Sequence, residues 1–497
     1  MSGAAIAKTS AGEVEGRERA GVLLFAGVPF AAPPTGARRF RAPAPHDGWQ
    51  GVRTARRFGP AAPQRPGIGL VSAPLAWDED CLTLNVTTPA VDDGARPVLV
   101  WIHGGAFRTG KGGIPWYDGS SFAQRGDIVT VSINYRLGAL GFSDLSELDP
   151  SLASSGAAGL LDQITALEWV RDNIAAFGGD PGQVTIAGES AGAMSVGALL
   201  GCPAAHGLFR RAIAQSGAAQ HTHPPAAARE VGRAFAEALG VGSAQDLLHA
   251  SVESILDAQE QVQSALEKRD RRDPNGLGGI PFQPVQLPDL LPQPPLEAIR
   301  AGLADDVALL CGTNLDETTL WGMSTFDEAR LHRFAARYFG DRTDDALATY
   351  RRGRPAASLA ELSIAITTDH LFRIPAIRLC EAHGGPSYQY LFSWASRAFE
   401  GRLGATHALE IPFAFNNLRK PGVSAFIGPG PDPQPLADVM HDAWIAFVRS
   451  GDPNHEALPE EWPRYDSERR PVMELGDRIG IRDDPAGAER LLWEGLR

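Results

Sequence analysis

The sequence predicts an α/β fold with a mostly parallel central sheet flanked by helices. Short apolar, β-branched runs, typical of strands buried on both faces, alternate along the chain with stretches of helical periodicity. Such alternation indicates βαβ units, in which successive strands run parallel. No internal repeat or clear linker divides the chain, so we expect one domain over residues 1–497, although the length would allow about three average domains.

The individual elements follow from periodicity and from Gly and Pro positions. From Leu160 to Phe177, apolar residues recur at helical spacing, and the run 178–181, Gly-Gly-Asp-Pro, ends that helix. Several short strands are predicted between residues 8 and 30, and further strands at 82–86, 98–103, 128–135, 184–187, 212–217, 306–312, 387–392 and 472–474. Further helical sequence lies at 226–270, 326–383 and 436–450. We expect the stretches 226–270 and 326–383 to be helical insertions over the active edge of the sheet, and residues 274–295 to form a long crossing loop.

Composition restricts the partners and the compartment. Lys and Arg number 46 against 59 Asp and Glu, a net charge of −13, which has the wrong sign for a nucleic-acid or anionic-membrane partner. No apolar run approaches the ~18 residues of a membrane span. The first eight residues are too short and mild for a signal peptide, and the four cysteines are sparse, so we expect a cytoplasmic protein.

The stretch around Ser190 is the strongest candidate for chemistry. Residues 188–192 read Gly-Glu-Ser-Ala-Gly, a G-x-S-x-G pattern between a predicted strand and a predicted helix. A sharp strand-to-helix turn strains the Ser backbone, and side chains two places before or after it would collide. The turn would present the hydroxyl above the sheet at a helix N-terminus. The plainer alternative is a tight βα turn with an incidental Ser.

Oxyanion donors are expected directly after the strand at 98–103. His103-Gly104-Gly105-Ala106 is an HGGG-type loop whose small residues let two backbone N–H groups approach a carbonyl oxygen. The N–H of Ala191 would complete such a hole. A glycine turn that only ends the strand is the alternative reading.

The partners of the Ser should follow it in the order acid, then His. The acid is expected after the strand at 306–312, where Asp316 and Glu317 are adjacent and spacing does not choose between them. His407 lies in a loop shortly after the strand at 387–392 and is the favoured base. The other candidates are His370, His383, His441 and His455.

Taken together, the motifs resemble those of the type-B carboxylesterase/lipase family, which includes the cholinesterases and, most similar to this chain, the bacterial para-nitrobenzyl esterases. The resemblance covers nearly the whole chain. It rests on residues 79–86, 101–107, 134–138, 177–181, 188–192, 215–217 and the stretch around His407.

The resemblance implies an α/β-hydrolase fold and a set of roles. Ser190 would be the nucleophile, Glu317 rather than Asp316 the orienting acid, and His407 the base. The remaining implied residues are the oxyanion donors Gly104, Gly105 and Ala191, and the hydrogen-bonding neighbours Glu189, Ser216 and Glu410. The family uses no metal or organic cofactor, and none is expected here.

Three departures from the family pattern stand out. Thr318 replaces a Gly after the acid, and residues 284–288 differ from the usual Pro-Val-x-Asp-Gly, which affects a loop near the site. Ala62 stands where many relatives carry a Cys that bridges to the equivalent of Cys81, so that disulfide cannot form and all four cysteines should be reduced.

His221 and His223 resemble a metal-binding pair, but a loop beside the acyl pocket is the favoured reading.

We therefore expect a serine carboxylester hydrolase for neutral esters with short to medium acyl chains, with the ester and water as its partners. Phe107, Trp116, His223 and Phe372 are candidates for the substrate pocket. Two alternatives remain: an inactive binding or adhesion protein of the same fold, and a lyase or acyltransferase that uses the same site.

Overall fold

The computed structural model describes residues 5–67, 75–269, 279–322 and 324–496. Its strands are β1 Ile6–Thr9, β2 Gly12–Glu15, β3 Arg17–Arg19, β4 Val22–Pro29, β5 Val52–Thr54, β6 Thr83–Thr88, β7 Arg96–Ile102, β8 Val129–Ile133, β9 Gly179–Glu189, β10 Arg211–Gln215, β11 Ala308–Asn314, β12 Ser387–Phe392, β13 Pro471–Leu475 and β14 Ile479–Asp483. Its helices are α1 Ser120–Gly126, α2 Gly138–Phe142, α3 Ala158–Asn173, α4 Ala191–Leu200, α5 Pro225–Leu239, α6 Ala244–His249, α7 Val252–Arg269, α8 Pro295–Arg300, α9 Glu328–Phe339, α10 Thr343–Gly353, α11 Leu359–Thr368, α12 Ile374–Ala382, α13 Ile411–Ala414, α14 Val423–Ile427, α15 Gln434–Ser450 and α16 Gly487–Leu492.

The central sheet has eleven strands in the order β14-β13-β12-β11-β10-β9-β7-β8-β6-β4-β3. Neighbours from β8 through β13 pair in parallel, while the strands at both ends pair antiparallel. The predicted α/β fold with a mostly parallel sheet is confirmed. Three further short strands, β1, β2 and β5, form a separate small sheet.

Helices cover both faces of the sheet, which explains the continuous apolar strand sequences. On β7, Val98, Val100 and Ile102 belong to one hydrophobic cluster, and Leu99 and Trp101 belong to another on the opposite face. Alternate side chains of a strand point to opposite faces, so a strand covered on both sides needs apolar residues at every position. The first cluster includes the apolar side of α3, and the second includes that of α15.

The two predicted helical insertions are present at the expected places. Helices α5 to α7 lie between β10 and β11, and helices α9 to α12 lie between β11 and β12. The second group encloses a third hydrophobic cluster, with Leu331, Phe339, Tyr350 and Leu362, to which Trp493 from the end of the chain also belongs. Each group begins after the carboxyl end of a parallel strand, the same edge of the sheet at which Ser190 follows β9.

The structure differs from the sequence prediction in detail. The described part of the helical stretch 226–270 forms three helices, and the first ends at Leu239, directly before Gly240 with φ 73°. Strand β14 and helix α16 were not predicted, because segments of five and six residues are too short for their periodicity to be recognised. Residues 274–278 of the expected crossing loop 274–295 lie outside the described residues. Across the part of the chain that is described, no helix has both the length and the apolar character needed to cross a bilayer.

Candidate active site

The Ser190 turn has the geometry that the glycine spacing predicts. Strand β9 ends at Glu189, helix α4 begins at Ala191, and Ser190 between them has φ 57° and ψ −125°. A methyl group on Gly192 would lie 2.0 Å from the Ile102 carbonyl oxygen, and one on Gly188 would lie 2.4 Å from the Gly192 carbonyl carbon. Only glycine fits at either position, so the strained Ser conformation is enforced by the surrounding backbone.

The loop after β7 lies against this turn. A methyl group on Gly104 would lie 2.6 Å from the Glu189 carbonyl oxygen and 3.0 Å from Ser190 Cβ, so the two backbones approach as closely as glycine allows. Gly105 has φ 112°, and Ala106 and Phe107 follow in the left-handed region. Within the described chain, no backbone hydrogen bond uses the N–H of Gly104 or Gly105. These N–H groups are therefore available to an oxygen bound beside Ser190.

His407 and Glu317 form a buried pair at the same edge. His407 Nδ1 lies 2.6 Å from Glu317 Oε2, and both side chains are almost completely buried. The other carboxylate oxygen of Glu317 accepts a hydrogen bond from the Asn314 N–H at 2.8 Å. The carboxylate is thus fixed by the end of β11, and it fixes the imidazole ring in turn.

Asp316, the other candidate acid, faces elsewhere. Its Oδ2 accepts a hydrogen bond of 2.9 Å from the Ala405 N–H, and its own N–H donates to the Ala405 carbonyl at 3.0 Å. Asp316 therefore holds the loop that leads to His407 and does not contact the imidazole through either bond.

The alternative histidines have structural partners of their own. His383 contacts Ser387 Oγ at 2.8 Å and the Ala304 carbonyl at 3.0 Å. His441 contacts Ser121 Oγ at 3.0 Å and the Ala414 carbonyl at 2.8 Å. His370 packs its ring against Tyr338 and Trp493. Among the five candidates, His407 is the one that forms a buried ion pair with a carboxylate after β11.

Glu189 brings a second carboxylate to His407. Its Oε1 is 3.0 Å from His407 Nε2, but the two atoms are not aligned for a hydrogen bond, so the contact is electrostatic. Burial lowers the pKa of His407, but the charges of Glu189 and Glu317 outweigh burial and raise the pKa to about 9. Burial raises the pKa of Glu189 to about 8, with Glu410 and Glu317 acting in the same direction and His407 opposing them. Glu189 and Glu317 therefore act in the same direction on the pKa of His407.

A buried polar cluster lies beneath these groups. Glu410 accepts hydrogen bonds from Gln215 Nε2 at 3.1 Å and from Asn314 Nδ2 at 2.6 Å. Burial and the charge of Glu317 raise the pKa of Glu410 to about 7, although the Asn314 bond opposes this rise. Ser216, which follows Gln215, is fully buried with φ 54°. Asn314 thus binds both Glu317, through its N–H, and Glu410, through its side chain.

Known proteins share this arrangement of elements along almost their whole length. The family model described as "Carboxylesterase family" matches residues 3–489. The chain belongs to the carboxylesterase family. It is 39% identical to the para-nitrobenzyl esterase of Bacillus subtilis, over 98% of this chain and 97% of that protein, and 38% identical to the phenmedipham hydrolase of Pseudarthrobacter oxydans, over 95% of each. A solved carboxylesterase of Geobacillus stearothermophilus superposes with a TM-score of 0.88 at 38% identity, covering 98% of this chain and 99% of that one.

These relatives confirm the α/β-hydrolase fold and the predicted activity class. This carboxylesterase is a serine carboxylester hydrolase that acts on small ester substrates with water. The alternative of an inactive binding or adhesion protein is not favoured, since the similar proteins are enzymes by name.

The four predicted pocket residues lie in different surroundings. Phe372 packs its ring 4.8 Å from that of His407. Phe107 packs against Phe142 in the core, and Trp116 donates a hydrogen bond to the Pro421 carbonyl at 3.0 Å. His223 is buried, with Nε2 3.1 Å from the Pro281 carbonyl oxygen. No group of three or more His, Cys, Asp or Glu that could hold a metal ion occurs in the described ranges.

Trp321 is a site residue that the sequence analysis missed. It ends the short 3₁₀ turn that begins with Glu317, and its indole lies 5.1 Å from the His407 ring and parallel to Phe372 at 6.1 Å. It remains 49% exposed. The one indication in the sequence that Trp321 lies near the site is that it follows the acid Glu317 by four residues.

The turn that carries Phe372 is hydrogen-bonded to residues near the end of the chain. It lies in the π-helical turn Asp369–Arg373, in which Arg373 binds both carboxylate oxygens of Asp369. Tyr350 donates to Asp369 at 2.6 Å, and Trp493 donates through Nε1 to the Tyr350 hydroxyl at 2.9 Å. A continuous set of contacts therefore connects the last turn of the chain to the ring beside His407.

The four cysteines are free and buried, and Ala62 lies in the same hydrophobic cluster as Cys81. Burial raises the pKa of the Cys81 thiol, which suppresses the reactive thiolate.

Proposed function

We propose that Ser190, His407 and Glu317 are the catalytic triad of this carboxylesterase. Ser190 Oγ attacks the ester carbonyl while His407 Nε2 accepts its proton, and His407 then protonates the leaving alcohol. Glu317 holds the Nδ1–H tautomer and stabilises the imidazolium. Water repeats the sequence on the acyl-enzyme and releases the acid. The buried contact of 2.6 Å between His407 Nδ1 and Glu317 Oε2 is the observation that carries this assignment.

The oxyanion is assigned to the backbone N–H groups of Gly104, Gly105 and Ala191. The close approach of Gly104 to Ser190 and the start of α4 at Ala191 support this assignment. Donors fixed in advance by the backbone stabilise the developing negative charge without reorganisation.

Glu189, Ser216 and Glu410 are assigned a supporting role around the triad. Glu189 sets the pKa of His407, and Glu410 fixes Asn314, whose N–H in turn orients Glu317. Ser216 packs at the buried end of the same cluster.

The substrate class is proposed as neutral esters with short to medium acyl chains. Phe372, Phe107, Trp116 and His223 are assigned to the walls of the cleft, and the insertions α5–α7 and α9–α12 limit its length. The net charge of −13 disfavours anionic esters. We further propose that the chain folds as one domain and works in the cytoplasm, which the four unpaired thiols support.

The test is hydrolysis of p-nitrophenyl acetate with trapping of the acyl-enzyme. A rapid burst of p-nitrophenol, and an acetyl mass increment on the peptide that contains Ser190 after acid quenching, would support the assignment. Ser190→Ala should abolish both signals while leaving the unfolding temperature close to that of the parent. An acetyl group on a different residue would overturn it.

A further inference from the structure

The acid and the base of the proposed triad lie on two segments that are far apart in the sequence. Glu317 begins the short turn Glu317–Trp321 after β11, whereas His407 lies in the loop after β12. Their contact of 2.6 Å therefore depends on how this turn and this loop are connected. Catalytic groups must be held to within about 0.5 Å of the productive geometry, so the connecting groups matter for activity.

Backbone hydrogen bonds make the first connection. The Asp316 N–H donates to the Ala405 carbonyl at 3.0 Å, and the His407 N–H donates to the Glu317 carbonyl at 3.2 Å, near the long end of the usual range. Both bonds lie at or before the first residue of the turn. The rest of the turn is connected to the loop by a side chain.

That side chain is Thr319. Its Oγ1 lies 2.6 Å from the Leu403 carbonyl oxygen and 2.8 Å from Thr406 Oγ1, both in the loop that leads to the base. A third contact, of 2.7 Å to the Asp316 carbonyl oxygen, attaches Thr319 to its own turn. Thr406 directly precedes His407 and is fully buried. Across the described residues, the Thr406 hydroxyl has no hydrogen-bond partner other than Thr319.

This connection depends on the hydroxyl and not on the shape of the side chain. Valine has nearly the shape of threonine, but at position 319 it would leave the buried Thr406 hydroxyl and the Leu403 carbonyl without this partner. A buried polar group that loses its partner is destabilising, so the loop would shift to find another. The adjacent Thr318 does not replace the connection, because its Oγ1 contacts Thr367 Oγ1 on α11 at 2.6 Å.

We propose that Thr319 is a positioning residue that sets the distance between Glu317 and His407 by binding the loop that carries the base. It acts through this pair and takes no part in proton transfer itself. The inference rests on the proposed function, since it has a consequence for activity only if Glu317 and His407 are the acid and the base.

The experiment compares four variants with the parent in the hydrolysis of p-nitrophenyl acetate. Thr319→Val removes the hydroxyl, and Thr319→Ser keeps it. Thr406→Val removes the hydroxyl on the loop side and tests the same contact if Thr319→Val does not fold. The matched control is Thr88→Val, which removes a buried hydroxyl that also contacts two carbonyl oxygens, those of Ala90 and Phe177. Thr88 ends β6, which runs antiparallel to β8, and so it lies at the opposite edge of the sheet.

Thr319→Val should lower kcat by about threefold to thirtyfold, less than the ~100-fold that a displacement of about 1 Å can cause. KM should change by less than about twofold, because both halves of the reaction use the same pair. Thr406→Val should give a smaller loss, since Thr319 keeps its contacts with two carbonyl oxygens. Thr319→Ser and Thr88→Val should stay within about twofold of the parent.

The pH profile separates a positioning role from a general loss of structure. Burial lowers the pKa of His407, and the charges of Glu189 at the end of β9, Glu317 on the turn and Glu410 in the base loop raise it. A longer distance to Glu317 weakens one of these charges, so the pKa of His407 falls. The acid limb of kcat/KM in Thr319→Val should therefore move to lower pH, whereas a loss of folded protein would lower activity by the same factor at every pH.

Parental kinetics in both Thr319→Val and Thr406→Val would overturn the proposal. Equal losses in Thr319→Ser and Thr319→Val would overturn it as well, and so would an acid limb that stays in place while kcat falls. If trapping placed no acetyl group on Ser190 of the parent, the proposed function itself would be wrong. Acetylation of Ser190 together with unaltered threonine variants would remove only the role of Thr319.

Discussion

Replacing Glu317 by Gln tests the assignment of the acid most directly. In the more favourable side-chain orientation, the amide oxygen keeps the bond from the Asn314 N–H, and the amide NH₂ then faces His407 Nδ1. That donor forces the imidazole proton onto Nε2, where it prevents acceptance of the Ser190 proton. The opposite orientation keeps the correct tautomer but places two buried donors together at Asn314, at a cost of about 1–3 kcal/mol.

The loss of the carboxylate charge of Glu317 raises the activation free energy by a second amount. An imidazolium and a carboxylate with charge centres about 4 Å apart attract by about 4 kcal/mol at an effective dielectric constant near 20. Added to the cost of orientation, this predicts a fall in kcat/KM of about 10⁴-fold, since each 1.4 kcal/mol is a factor of about ten.

The assay is the hydrolysis of p-nitrophenyl acetate, with circular dichroism to verify that the variant is folded. The matched control is Asp316→Asn, which keeps an oxygen to accept the Ala405 N–H and should lose less than about tenfold in kcat/KM. A crippled Asp316→Asn together with a mild Glu317→Gln would refute the reasoning and transfer the role of acid to Asp316.

Four further predictions concern the pH dependence of activity, the pH dependence of stability, the thiol count and the acyl-chain length of the substrate. Glu189→Gln removes a charge that raises the pKa of His407, so the acid limb of the kcat/KM profile should move to lower pH, and an unmoved limb would contradict the contact. Because the pKa of Glu189 rises from 4.5 to about 8 on folding, stability should fall as pH rises through that interval, and the same variant should flatten the fall in denaturant titrations. Thiol titration in denaturant without reductant should count four groups, whereas a count of two would reveal a disulfide. Across p-nitrophenyl esters from acetate to palmitate, each methylene that fits should add at most about 0.8 kcal/mol to transition-state binding, and a preference for palmitate would mark a lipase.

The sequence was most informative where steric exclusion permits only one backbone conformation. The spacing of Gly188 and Gly192 around Ser190 required a particular backbone turn, and the structure has it because both positions exclude a Cβ. The alternation between buried strands and helices was equally easy to predict, because strands such as β7 are covered on both faces and are therefore apolar at every position. These features depend on local sequence, so a pattern of a few residues was sufficient to predict them.

Features that depend on contacts between residues far apart in the sequence were harder to predict. Asp316 and Glu317 follow the same strand, and their roles differ only in whether the side chain meets Ala405 or His407. The sequence did not distinguish Trp321 from an aromatic residue of the core, because its exposure depends on how the turn that begins with Glu317 packs against α11. The double connection of Asn314, to Glu317 and to Glu410, likewise appears only when the end of β11 meets the His407 loop.

The separate hydrophobic cluster of α9 to α12 has a consequence for thermal inactivation. It shares no buried residue with the two clusters on the sheet, and Trp493 connects it to the chain end. Regions with their own small core can open below the temperature of global unfolding. On heating, helices α9 to α11 would loosen the contact between Thr367 on α11 and Thr318 beside Glu317 while the sheet persists, so activity should disappear reversibly before the main calorimetric transition. Substitutions that tighten the contacts among Trp493, Tyr350 and Asp369 would then extend the working temperature without altering that transition.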